Sequence, residues 1–286
     1  MTFEAGPGGL LRAAVSVPAA EAHVYLHGAH VTHYRAAGRS PSLFLSSRTR
    51  YAAGAAIRGG VPVIFPWFGA RAGHPEAPDH GFARTSEWAI HSVERRGDGA
   101  VVLAFGLEPD ERARAMWTHD FRLAYRVAIG ASLEMALEVE NRSRSPFTFE
   151  EALHTYLLVD DVRAVAIGGL ESATYIDKTD AMKRKTTGPG PLRLTGTTDR
   201  VFPGARATCT VSDPGLRRRL VVEKLNSATT VVWNPWSDRA STMTDLGPDE
   251  WRSMLCVEPA NTGDDARRLE AGERHTMGVT IRAEGD

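Results

Sequence analysis

The sequence predicts an antiparallel all-β sandwich. Three observations carry that expectation. Apolar and polar residues alternate with a period of two, strand-like runs follow one another through short turns, and no helices stand between them as crossovers. Residues 22–34 read as two short strands around Gly28. Residues 88–94 and 100–107 form a hairpin through a Gly-containing loop, and 121–129 with 133–140 form a second. Further strand-like runs cover 147–159, 163–167, 207–212, 219–224, 229–233, 254–257 and 276–283. The best of the few short helical candidates is 247–252, where Pro248, Asp249 and Glu250 suit a first turn. Gly188-Pro-Gly-Pro191 is the strongest loop signal, and the adjacent Lys183-Arg-Lys185 reads as a solvated basic loop. No shift in composition divides the chain, so residues 1–286 are expected to form a single domain.

Composition narrows the function classes. The 286 residues carry 34 Lys+Arg against 35 Asp+Glu, so no broad basic face for nucleic acid is expected. No apolar run approaches the length of a membrane span, and the N-terminus lacks the basic and apolar regions of a signal peptide. Cys209 and Cys256 lie far apart without metal-ligand spacing. The expectation is a reduced, cytoplasmic, monomeric protein with neither metal nor cofactor.

Four stretches, and a tryptophan-rich run beside them, stand out chemically. In Ala55 to Gly69, Arg58 sits at the mouth of a run too apolar for an ordinary surface loop. Gly59 and Gly60 let the backbone turn sharply or let a ligand come close. A desolvated guanidinium needs an anionic or polyol ligand, or a carboxylate nearby, and both readings stand. In Asp79-His80-Gly-Phe-Ala-Arg84, complementary charged groups share one loop, fit for an oxygen-rich ligand or for an internal Asp79–Arg84 pair. Read as a strand, 149–157 puts Glu150, Ala152, His154 and Tyr156 on one face, so His154 can line a cleft. Residues 251–261 form an apolar strand ending at Glu258, with Pro259 expected to stop the ladder and leave the carboxylate at a sheet edge or cleft rim. There burial raises its pKa and a neighbouring Arg lowers it, a balance that suits a general base, whereas a pair with Arg252 or Arg239 is the structural alternative. Trp233-Asn-Pro-Trp236 offers indole faces for a pyranose ring, or two core residues.

Other patterns are discounted. His27, His30 and His33 alternate like strands around Gly28 and lack the convergence zinc requires. Gly6 to Gly9 follows no strand, and Ser46-Ser47 lacks a nucleophile elbow.

Taken together, Ile57-Arg-Gly-Gly-Val-Pro-Val-Ile-Phe-Pro-Trp-Phe-Gly69, His80-Gly-Phe-Ala-Arg-Thr85, Glu151-Ala-Leu-His-Thr-Tyr156, Trp233-Asn-Pro-Trp236 and Cys256-Val-Glu-Pro-Ala-Asn261 resemble the aldose 1-epimerase (galactose mutarotase-like) superfamily. They look most like its glucose-6-phosphate 1-epimerase branch. The resemblance implies a β-supersandwich with the sugar site on a concave face. It implies His154 and Glu258 as catalytic residues, and Arg58, Asp79, His80, Arg84, Asp199 and Trp233 as substrate-binding ones. Asp79 departs from the Gln that the branch often carries. The implied activity is anomerisation of a hexose 6-phosphate, with Glu258 taking the O1 proton, a protonated His154 serving O5, and Arg58 and Arg84 on the phosphate. Two alternatives share the fold: a non-catalytic sugar-phosphate-binding module, and a mutarotase of an unphosphorylated aldose. A glycosidase fits less well, because only Glu258 has a convincing cleft context where two carboxylates are needed.

Overall fold

The computed structural model describes residues 1–285, and they form an almost entirely antiparallel β structure. One eight-stranded sheet runs, in spatial order, Lys183–Thr186, Thr174–Asp177, Thr198–Phe202, Thr229–Asn234, Met254–Asn261, Glu151–Leu153 and Val63–Ile64, with Tyr156–Leu158 also paired to Met254–Asn261. A second eight-stranded sheet contains both hairpins expected from the sequence, now Ala89–Arg95 with Val101–Leu107 and Phe121–Ile129 with Leu133–Asn141. Four N-terminal strands and the pair Phe147–Phe149 with Arg267–Leu269 complete the sheets. Among the described residues, no helix is long and apolar enough to cross a membrane.

Strand parity builds two unequal apolar faces. Val63, Leu153, Val232 and Val257 point into the main core. Their neighbours Ile64, Ala152, Val231 and Ala260, with Val201, form a separate small cluster on the other face of the sheet. Phe65 anchors the Arg58-bearing segment into the main core against Phe82, Trp117, Phe121 and Phe149, at ring-centroid distances of 5.1 to 6.2 Å. That face therefore carries few large residues of its own, which leaves room for a ligand.

Three expectations require correction. Lys183–Thr186 is an edge strand, its exposed charges paired with Asp177, Asp180 and Asp264, so basic side chains here guard a sheet edge. Residues 250–253 form only a 3₁₀ turn, and the α-helices are Glu111–Met116 and Trp236–Ala240. Most consequential, Pro259 does not end its strand. Met254–Asn261 runs through it at the centre of the sheet, pairing Glu258 with Val231 and Pro259 with Thr230.

The strand tolerates Pro259 because the missing donor is replaced. Glu151 pairs with Asn261 and Tyr156 with Cys256 in one continuous register, interrupted only between them. That register puts Leu153 opposite Pro259, where no N–H is available for its carbonyl. The Thr155 hydroxyl donates to the Leu153 carbonyl instead, at 3.0 Å. Thr155→Val keeps the volume and removes that donor, so it should lower stability by about 1–3 kcal/mol. Urea unfolding reads this directly, and a wild-type midpoint for the variant contradicts it.

Candidate active site

The same register sets the central pair. His154 falls opposite Glu258, and because the Val257 N–H donates to the Thr155 carbonyl, this is a close, non-hydrogen-bonded pairing position. His154 Nδ1 lies 3.4 Å from Glu258 Oε1. Both side chains are buried, and neither His154 Nδ1 nor Glu258 Oε2 has a hydrogen-bond partner. Unpaired buried polar atoms are costly, so one on each member of this facing pair marks a place built for something else.

They form the floor of a cleft of about 300 Å³, whose walls include Arg58, Asp79, His80, Arg84, Asp199 and Trp233. All eight residues singled out from the sequence meet there. Asp199 lies on Thr198–Phe202 opposite Trp233, and its carboxylate is 3.3 Å from Lys178. Trp233 stands edge-on to His154 and Tyr156. Asp79 is exposed at the cleft wall, and it is its main-chain carbonyl, not its carboxylate, that accepts from Arg84 at 2.8 Å. Trp236 turns away and packs on Trp251.

Arg58 satisfies its structural reading. Its Nε donates to Asp245 at 3.0 Å, and its Nη1 donates to the Tyr156 hydroxyl at 2.8 Å. Tyr156 in turn lies parallel to the His154 ring, 4.6 Å away. Asp245, Arg58 and Tyr156 thus brace the imidazole from behind. Gly59 and Gly60 serve that brace rather than a ligand. Both have positive φ, and a Cβ on either would strike neighbouring backbone.

Sequence reasoning missed Lys178, Arg239, Asp245, Phe68 and Tyr156 as site residues. The alternation that put Tyr156 on the His154 face was a usable signal, and Arg239 follows the Trp-Asn-Pro-Trp run closely. The three N-terminal histidines are engaged separately: His27 with the Ala55 carbonyl, His30 with the Gly59 carbonyl, and His33 with Glu21.

Burial dominates the electrostatics. It pushes His154 well below the ordinary histidine range, aided by His80, Arg84 and Arg58. It pushes Glu258 well above the carboxylate range, aided by Asp199. Burial alone therefore favours the proton on Glu258 and a neutral His154. His80 is lowered to about 3 by burial, and its Nδ1 accepts from the Gly69 N–H at 3.2 Å, so Nε2 carries its proton. Cys256 Sγ joins His154 and Glu258 within 4.8 Å, a spacing that fits a metal ion. Burial, helped by Glu258, holds that thiol well above its ordinary range.

These directions fix a pH dependence of stability. Glu258 is raised on folding, so its contribution is present below its unfolded value of 4.5 and is lost as pH rises toward its folded value. Glu258→Gln removes that loss. Its melting temperature should gain on the wild type progressively as pH rises above 4.5. A constant difference across that range contradicts the assignment.

A buried histidine and glutamate facing each other in a polar cleft can pass a proton between two oxygens of one sugar, which is the chemistry of a sugar mutarotase. The chain belongs to the aldose 1-epimerase family, whose profile matches residues 15–282, and it is an isomerase acting on carbohydrates. It is 35% identical over 261 residues to an Escherichia coli K12 protein provisionally named glucose-6-phosphate 1-epimerase, covering 91% of this chain and 86% of that one. A Cenchrus ciliaris protein of the same provisional name is 34% identical over 247 residues, 84% of this chain and 74% of that one. The crystal structure of YeaD from Salmonella typhimurium, provisionally titled a mutarotase, superposes with a TM-score of 0.90 at 31% identity, covering 97% of this chain and 91% of that one.

Proposed function

We propose that the chain interconverts the α and β anomers of an aldohexose 6-phosphate, glucose 6-phosphate foremost. Its catalytic residues on this reading are His154 and Glu258, facing each other at 3.4 Å with unspent polar atoms. That facing pair is the observation that carries the proposal. Ring opening requires one group to take the O1 proton while another gives a proton to the ring oxygen. The C1–C2 bond then rotates and the reverse transfers close the ring on the other face. No bond to the protein forms, and the pair returns to its starting protonation.

Glu258 takes the O1 proton in the filled cleft, where sugar hydroxyls donating to the carboxylate restore the hydrogen bonds that burial removes. His154 serves O5. Asp199 and the Nε2–H of His80 hold hydroxyls, Trp233 faces the ring, and Arg58, Arg84 and Asp79 line the remainder. The names of the relatives and the cationic wall support a phosphorylated substrate. The proposal includes one domain spanning 1–286, acting as a cytoplasmic monomer with neither metal nor cofactor.

A mutarotase of an unphosphorylated aldose is the second reading. The Asp245–Arg58 pair favours it, because Asp245 already compensates one of the two arginines expected on the phosphate. The decisive measurement follows freshly dissolved α-glucose 6-phosphate with a dehydrogenase specific for the β anomer. Enzyme-dependent acceleration is the expected result. Relaxation at the spontaneous rate, with α-glucose accelerated instead, decides for the second reading.

A further inference from the structure

The cations lining the cleft differ in how far their charges are already spent. Arg58 is held by Asp245 at 2.9 Å and by the Tyr156 hydroxyl. Lys178 faces Asp199 at 3.3 Å. Arg84 donates to the Asp79 carbonyl and keeps one unspent, buried Nε. Arg239 also lines the cleft, is exposed, and among the described residues has no carboxylate within ion-pair distance. A dianion entering this cleft meets two ion-paired cations, the inner guanidinium of Arg84 held by a main-chain carbonyl, and one exposed fork with neither kind of partner among the described residues.

The position of that fork is built. Arg239 lies on the short helix Trp236–Ala240, and Trp236 at its start has φ 54°, a left-handed conformation that a bulky residue rarely adopts. Two contacts hold it there. Its N–H donates to Asn234 Oδ1 at 2.8 Å, and its ring packs on Trp251 with centroids 4.7 Å apart. Asn234 is itself fixed, donating through Nδ2 to the Trp251 and Met254 carbonyls at 2.8 Å each. Backbone strain next to a site persists only where the surroundings over-determine it. Here they do, and the strained turn brings Arg239 and Met243 to the cleft wall.

We propose that Arg239 is the specificity-determining residue of this site, the one whose guanidinium is free to bind the 6-phosphate of the substrate. With the anomeric carbon at the buried His154–Glu258 pair, the phosphate, a few covalent bonds from the ring oxygen, reaches toward the more exposed part of the cleft. A planar, permanently charged donor fork suits a phosphate dianion there. Arg84 contacts the sugar from within, and Arg58 acts as a positioning residue for His154 through Tyr156. The inference rests on the phosphorylated-substrate reading and assigns its discriminating contact to a residue outside the family motifs noted in the sequence.

The test compares kcat/KM for α-glucose 6-phosphate and α-glucose in the wild type, Arg239→Gln and Arg239→Lys, with inorganic phosphate as a competing probe. Arg239→Gln should reduce the preference for the phosphorylated sugar about ten- to a hundredfold, mainly through KM, the range for losing a hydrogen bond to a charged group. Inorganic phosphate should inhibit it less by a similar factor, and Arg239→Lys should recover part of both effects. A wild type that prefers the phosphorylated sugar, with Arg239→Gln showing the same preference, overturns the role of Arg239 alone. Equal losses on both sugars overturn it too, because they describe a structural arginine. A wild type that ignores the phosphate, in turnover and in inhibition, overturns the underlying reading together with this inference.

Discussion

Glu258→Gln is expected to slow the enzyme-dependent relaxation of α-glucose 6-phosphate by about 10²–10⁴-fold, and His154→Ala to fall in the same range. The amide keeps the shape of the carboxylate and one acceptor atom but cannot take a proton from O1. Removing the imidazole takes away the only other titratable group facing that carboxylate at 3.4 Å. The double variant should be little slower than the worse single one, since either partner without the other has no proton to exchange. Both side chains are buried at the sheet centre, so folding must be checked independently of activity. Glu258→Gln provides that check, because it should melt no lower than the wild type at neutral pH while being nearly inactive. Wild-type relaxation by either single variant removes the pair from the mechanism.

The second large effect lies in the backbone. Gly60 has φ 62°, and a Cβ there would sit 2.2 Å from the Val31 carbonyl oxygen and 2.9 Å from His30 Nε2. Its own N–H and carbonyl are both used, bonded to the Phe44 carbonyl and the Tyr156 N–H. An alanine cannot relieve the clash by rotating a side chain. Left-handed strain and overpacking together give a loss of about 3 kcal/mol or more. For a chain of this size that corresponds to a melting temperature lower by about 6–12 °C. The shift also displaces Arg58 and Tyr156, so His154 loses its brace and kcat should fall in whatever protein remains folded. A calorimetric scan of Gly60→Ala that overlays the wild type contradicts this account.

What could be read from the sequence follows from how local each cause is. The hairpins Ala89–Arg95 with Val101–Leu107 and Phe121–Ile129 with Leu133–Asn141 were legible, because alternation and turn chemistry are encoded within a few residues. The end of the Glu258 strand was misread because Pro259 is a local stop signal, while its remedy, the Thr155 hydroxyl, lies on another strand. Lys183 to Lys185 read as a loop because charge is a local signal, and pairing with Thr174–Asp177 is not. The eight singled-out site residues were visible as residue types in motif contexts. Asp245 was not, since nothing near it reveals that Arg58 is its partner. How far burial shifts the central pair was not legible for a similar reason: depth is a property of the folded sheet.

The continuous register across the Pro259 interruption has a consequence for how activity arises during folding. His154 and Glu258 belong to distant parts of the chain, and only the docking of Glu151–Leu153 and Tyr156–Leu158 onto Met254–Asn261 brings them together. Neither hairpin of the other sheet contributes a residue to the cleft. A partly assembled chain can therefore hold much native β-structure and still have no acid–base pair. Non-local pairings close slowly. Recovery of mutarotation after dilution from denaturant thus becomes a clock for closure of the central sheet, started only when these strands meet in register.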